Sequence, residues 1–176
     1  MPCGLTKAEM VAAWELHQKY EFADKDVAAT MTTMNANPFV THVPTMEGGH
    51  GVSEISEFYG ADFVPCNPPD ITTEVVSRTV GDMQIVDELI VAFTHTQEVT
   101  WILPGVKPTN KPVRIPLVVI VGFADGGVSK EHIHWDQASV LHQVGLLQKT
   151  EETKRCFYGS DIADCVLHKI DPIHTK

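Results

Sequence analysis

Residues 131–147 read Glu131-His-Ile-His-Trp-Asp-Gln-Ala-Ser-Val-Leu-His-Gln-Val-Gly-Leu-Leu147. Apolar and polar residues alternate through the first part of this stretch, which predicts a strand over 129–140. Side chains on a strand point alternately to its two faces. Glu131, Ile133, Trp135, Gln137 and Ser139 share one face, and His132, His134, Asp136, Ala138 and Val140 share the other. The second face therefore carries three ionisable groups in a line. Burying such groups unpaired costs several kcal/mol, so they pair with one another, face solvent, or line a cavity.

Working backwards from this strand, three more long alternating segments appear, at 71–80, 83–96 and 113–123. Gly81-Asp82 and Asp125-Gly-Gly127 supply the residues that tight hairpin turns require. The connection 103–112 carries three prolines. In the segment 113–123, Val113, Ile115, Leu117, Val119 and Val121 form one face and Val118 and Ile120 the other, so both faces are expected to be covered. Helices would cover one, and the sheet of a second copy would cover the other, which predicts a homodimer through the sheet. Before the meander the period is helical. Thr6 and Glu9 make a capping box, and Met10, Ala13, Trp14, His17 and Tyr20 follow at helical spacing. A second helical piece covers 24–34, Asn35-Ala-Asn-Pro38 breaks it, and Phe39–Val43 is a short strand. Glu47–Gly51 reads as a loop, and a third helix covers 51–61 with Ser53 as its cap. Pro65-Cys-Asn-Pro-Pro69 is a hard stop. Helices first and strands after make an α+β chain. From Gly145 the sequence is polar and weakly periodic, with a short helix near 162–168.

The chain has 176 residues, with 13 Lys+Arg against 23 Asp+Glu and a formal net charge of −10. That length supports one domain with its own core. The acidic balance and the absence of any Lys/Arg run argue against a nucleic-acid partner, because phosphate binding needs a basic patch. No apolar stretch reaches the length of a membrane span. The opening MPCGLTKAEM has no signal-peptide core. Cys3, Cys66, Cys156 and Cys165 have neither zinc nor disulfide-framework spacing. A soluble, cytoplasmic protein is the expectation. There is no GxSxG elbow, no P-loop, and no GxGxxG after a strand.

Nine histidines are many for this length. His17, His50 and His142 stand alone and read as surface or satisfied core residues. The row His132, His134 and Asp136 is different. Two His and a carboxylate suggest a metal triad, but positions i, i+2 and i+4 span roughly 13 Å, too far for one ion. A metal would need a pair from the row with His42 or His95, so none is assigned. Trp14, Tyr20, Phe58, Tyr59, Phe63 and Trp101 read as core, with some lining any ligand cavity.

The order of helices, short strand, helix and meander resembles the nuclear-transport-factor-2-like superfamily. The closing stretch 131–147 is similar to that of SnoaL-like proteins. Val86-Asp-Glu-Leu89, Phe93-Thr-His-Thr96 and Trp101-Ile-Leu-Pro-Gly-Val106 resemble a branch of the same group. The resemblance covers roughly residues 6–147, giving a SnoaL-like domain over 1–147 and a C-terminal extension over 148–176. It implies a cone-shaped, curved antiparallel sheet wrapped by N-terminal helices, an internal apolar cavity, a homodimer, and chemistry without metal or organic cofactor. Isomerases, cyclases and dehydratases of this kind move a proton next to a carbonyl, the chemistry of ketosteroid isomerase.

On this reading Asp136 matches the cyclase acid/base position, and His134 or His132 orients it or shares its proton. His42, His95 and Tyr59 are candidates to polarise a substrate carbonyl, while Phe63, Trp101 and Trp14 complete the substrate-binding wall. Replacing Asp136 by Asn is then expected to abolish turnover. The competing reading is a non-catalytic ligand-binding or scaffold protein of the same fold. An Asp136 inside a deep cavity favours the enzyme, whereas an Asp136 paired to Lys or Arg favours the binder.

Overall fold

The computed structural model describes residues 3–169; the end of the expected extension, 170–176, lies outside them. Helix α1 spans Lys7–Gln18. Its Thr6 hydroxyl accepts the Glu9 N–H and the Glu9 carboxylate accepts the Thr6 N–H, so both halves of the capping box form. A π-helical turn, Lys19–Asp24, extends it and ends at Lys25 in the left-handed conformation, φ 53°. Helix α2, Val27–Thr32, starts at Asp26, whose side chain accepts the Ala29 N–H. Strand β1 is Met34–His42, β2 is Glu47–His50, and α3 is Gly51–Phe58, continued by a second π-helical turn, Tyr59–Phe63. Strands β3 (Thr72–Val80), β4 (Gln84–Thr94), β5 (Pro112–Ala124) and β6 (Gly127–Trp135) form the meander, followed by α4 (Gln137–Gln143) and α5 (Asp161–Val166).

These elements form an α+β fold with one six-stranded sheet, ordered β2-β1-β6-β5-β4-β3. The β1–β6 pair is parallel and every other pair antiparallel. Four local expectations need correction. The stretch 35–38 does not end a helix; it lies within β1, and the pairing of β1 with β6 shifts register between Met34 and Phe39 there. Glu47–His50 is an edge strand rather than a loop, paired to β1 through Phe39–His42. His50, not Ser53, is the N-cap residue of α3, and its N–H is accepted by Glu54. The last strand stops at Trp135 instead of reaching 140, because Asp136 turns the chain into α4 by accepting the Ala138 N–H and the Ser139 hydroxyl.

The alternation then decides which face is inside. On β5, Val113, Ile115, Leu117, Val119 and Val121 are buried and Val118 and Ile120 half-buried. Cross-strand pairs Val121↔Glu131 and Val119↔Ile133 put Glu131 and Ile133 on the buried side. Ile120↔His132 and Val118↔His134 put both histidines on the outer side. Helices α1 and α3 cover the inner face, and the main core lies between them and the sheet.

Candidate functional site

Between the helices and the inner face lies a small cavity of about 50 Å³. Leu89, Val91, Leu117, Val119 and Ile133 form its sheet wall. Trp14, Phe22, Phe63, Trp101 and His42 bring aromatic rings. Its polar groups include Glu21, Tyr59 and Glu131, and among the described residues no lysine or arginine lines it. The two π-helical turns carry part of this set: Glu21 and Phe22 on the first, Tyr59 and Phe63 on the second. An extra residue in a helical turn re-aims side chains without ending the helix, and such turns recur at functional sites.

Behind the wall stands His17, fully buried. Its Nε2 is 3.1 Å from Glu21 Oε1, 3.2 Å from Glu131 Oε1 and 3.3 Å from the Tyr59 hydroxyl. The Tyr59 hydroxyl donates to Glu131 Oε1 at 3.2 Å. On the opposite edge, His17 Nδ1 is 2.6 Å from Thr33 Oγ1. The Thr33 hydroxyl donates to the Thr30 carbonyl at 2.6 Å. With its one proton committed there, Thr33 accepts, so Nδ1 carries the hydrogen. Burial works against a charged His17, but Glu21 and then Glu131 outweigh it and push its pKa up to about 10. Burial raises the Glu21 carboxyl above its ordinary range, with His17 opposing. Burial, then the carboxylates Glu131 and Glu21, hold the Tyr59 hydroxyl well above the usual phenol value, so it stays a donor. Burial drives His42 down to about 4, leaving it a neutral ring among Phe58, Phe63, Trp101 and Trp135.

A second group orients the aromatic wall. Asp87 is fully buried; it accepts the Trp14 indole N–H at 2.8 Å and two N–H groups of Arg78 at 2.7 and 2.8 Å. The Trp14 ring stacks on His17 at 5.3 Å between centroids.

Of the residues singled out from sequence, Trp14, His42, Tyr59, Phe63 and Trp101 line the cavity. His95 does not; it is buried under the proline-rich loop, where its Nδ1 accepts the Thr109 N–H and its backbone pairs with Asn110 and Lys111. The row His132, His134, Asp136 is not a row. His132 and His134 lie on the outer face, and Asp136 is exposed at the start of α4. Asp136 is also not paired to Lys or Arg among the described residues; its partners are the helix it caps. His17, Glu21, Glu131 and Asp87 were not among the expected site residues. The signal for the first two was present, since His17 and Glu21 are an i, i+4 pair on an apolar helix. Glu131 shares its strand face with Ile133, the combination that marks a carboxylate turned inward.

No protein-family model matches the sequence, and no curated protein matches it. Solved structures do. TsrD from Streptomyces laurentii superposes with a TM-score of 0.65 at 13% identity, over 81% of this chain and 99% of that one. AclR from Streptomyces galilaeus gives 0.61 at 20% identity, over 84% and 92%. A protein described as a SnoaL-like polyketide cyclase, from Jannaschia sp. CCS1, gives 0.60 at 18% identity, over 78% and 94%. At these identities the likeness is one of fold. The chain has the nuclear-transport-factor-2-like fold, in the form shared by SnoaL-like proteins.

Proposed function

We propose that the chain is an enzyme that binds a small, neutral, largely apolar carbonyl compound in this cavity and moves a proton at the carbon next to the carbonyl. The observation that carries this reading is a carboxylate, Glu131, and a hydroxyl donor, Tyr59, 3.2 Å apart on the wall of a mostly apolar cavity. A Glu131 oxygen takes the C–H proton. The C–H electron pair becomes the C=C bond of an enolate, and charge gathers on the former carbonyl oxygen, where the Tyr59 O–H stabilises it. Return of the proton at another carbon gives isomerisation; attack of the enolate carbon on a second carbonyl of the same molecule, whose oxygen takes the proton from Glu131, gives cyclisation; departure of a β-hydroxyl that takes the same proton and leaves as water gives dehydration. Among the described residues no lysine or arginine lines the cavity to meet a phosphate or carboxylate, which favours a neutral substrate. That the Jannaschia neighbour is described as a polyketide cyclase supports the same class. The half-buried outer face, with Phe39 40% exposed beside His132, Ile120 and Val118, is the surface we assign to the homodimer.

The test is exchange of the α-protons of a panel of cyclic ketones in D₂O, followed by NMR. At least one ketone is expected to exchange faster with the protein, and Tyr59→Phe is expected to slow that exchange roughly 10- to 100-fold. No acceleration across the panel, or full activity in Tyr59→Phe, contradicts the proposal.

A further inference from the structure

The cluster behind the cavity brings one imidazole nitrogen and two carboxylate oxygens together out of solvent. Thr33 fixes the hydrogen of His17 on Nδ1, because the Thr33 hydroxyl already donates to Thr30. A neutral His17 therefore turns the bare lone pair of Nε2 toward Glu21 Oε1 at 3.1 Å and Glu131 Oε1 at 3.2 Å. Three acceptors facing one another without a cation between them repel. A proton on Nε2 supplies one hydrogen to two carboxylate oxygens, whereas a metal ion meets all three atoms at once. A buried net charge is costly. A divalent ion with a neutral imidazole and two carboxylates is neutral.

We infer that His17 Nε2, Glu21 Oε1 and Glu131 Oε1 form a binding site for a divalent transition-metal ion. All three residues are buried, and the three atoms lie within 4.8 Å of one another. The two His–Glu separations match the roughly 3.3 Å between ligand atoms around a tetrahedral centre with bonds of about 2.0–2.2 Å. The donor set of one imidazole nitrogen and two carboxylate oxygens suits Zn²⁺ or Mn²⁺ better than Mg²⁺, which prefers oxygen alone. The hydrogen bond from Nδ1 to Thr33 is the orienting contact that metal-bound histidines make on their other nitrogen. The inference deepens the proposed function and rests on it for its setting: the ion sits where Glu21, Tyr59 and Glu131 meet the cavity and would polarise a substrate oxygen there. One oxygen of each carboxylate binds it, leaving the second for the proton.

The experiment is calorimetric titration of chelator-treated full-length protein with Zn²⁺, Mn²⁺ and Mg²⁺. One equivalent of Zn²⁺ or Mn²⁺ per chain is expected, with Mg²⁺ at least tenfold weaker. Glu21→Gln and Glu131→Gln keep the side-chain volume and are each expected to weaken binding at least tenfold. Thr33→Val, outside the cluster, is expected to weaken it 10- to 100-fold. Circular dichroism confirms that each variant is folded; if a carboxamide variant is not, Thr33→Val and Glu21→Asp carry the comparison. No binding, or binding unchanged in these variants and lost in His132→Ala/His134→Ala, overturns the inference. Ketone exchange by the metal-free protein separates the two ideas: exchange without metal binding keeps the proposed function and removes the ion, whereas metal binding without exchange does the reverse.

Discussion

Asp87 holds the aromatic end of the cavity in place. Its two oxygens take the Trp14 indole and both prongs of Arg78, and Trp14 in turn lies flat on His17. Replacing Asp87 by Ala leaves the buried indole N–H without its acceptor and the Arg78 guanidinium with only Glu15. We expect a loss of about 3 kcal/mol, read as a lower denaturation midpoint at unchanged slope. Asp136 has a different task. It caps α4, and Asp136→Ala is expected to cost about 1 kcal/mol with ketone exchange unchanged. The contrast shows what a single sequence hides at this scale. Alternation sorts Glu131 from His132 and His134 without error, but does not say which side is inside. Three polar residues in a line drew the site to the outer face, although the lone carboxylate next to Ile133 was the buried one. Alternation places Asp136 inside a strand over 129–140, while the cap signal, an Asp before Gln-Ala-Ser-Val, is equally present.

At the scale of elements, the meander was legible because its strands are long and bounded by turn residues, while β2 was not. Four residues with two glycines carry no periodicity, and the strand exists because β1 offers it an edge. Gly48 shows how close that pairing is: its φ is +141°, and a Cβ there would lie 2.1 Å from the Val40 carbonyl oxygen. Gly48→Ala therefore forces backbone apart in the element that also carries His42, and is expected to lower stability by at least about 2 kcal/mol in chemical denaturation. The π-helical turns were equally illegible, since nothing in the local pattern of 19–24 or 59–63 departs from an α-helix. His42 gives the pair β1–β2 a pH signature. Its folded pKa lies near 4 and its unfolded value near 6.5, so the unfolded chain binds the extra proton between them. Its contribution to stability is complete above the unfolded value and is lost as pH falls toward 4. His42→Phe, which cannot take that proton, is expected to lose less stability than the wild type between pH 7.5 and 5. An equal or larger loss contradicts a neutral buried His42.

For the whole molecule, the α+β architecture and the cavity wall of Trp14, Tyr59, Phe63 and Trp101 follow from periodicity and from the resemblance of 131–147 to SnoaL-like proteins. The location of the polar end does not, because it is assembled from α1, the turns after α1 and α3, and β6, elements far apart in sequence. The outer face leaves Phe39 among half-buried Ile120, Val118 and His132. The proposed homodimer is tested here: wild type is expected to scatter light as a dimer and Phe39→Glu as a monomer, at unchanged far-UV dichroism. In the proposed mechanism the chemistry belongs to the inner carboxylate, Glu131, and not to Asp136 of the Trp-Asp motif. The most direct measurement is α-proton exchange by Glu131→Gln and Asp136→Asn on the ketone the wild type handles best. A loss of at least about 100-fold is expected for Glu131→Gln, with a rate within about twofold of wild type for Asp136→Asn. Exchange that survives in Glu131→Gln and vanishes in Asp136→Asn would contradict that mechanism.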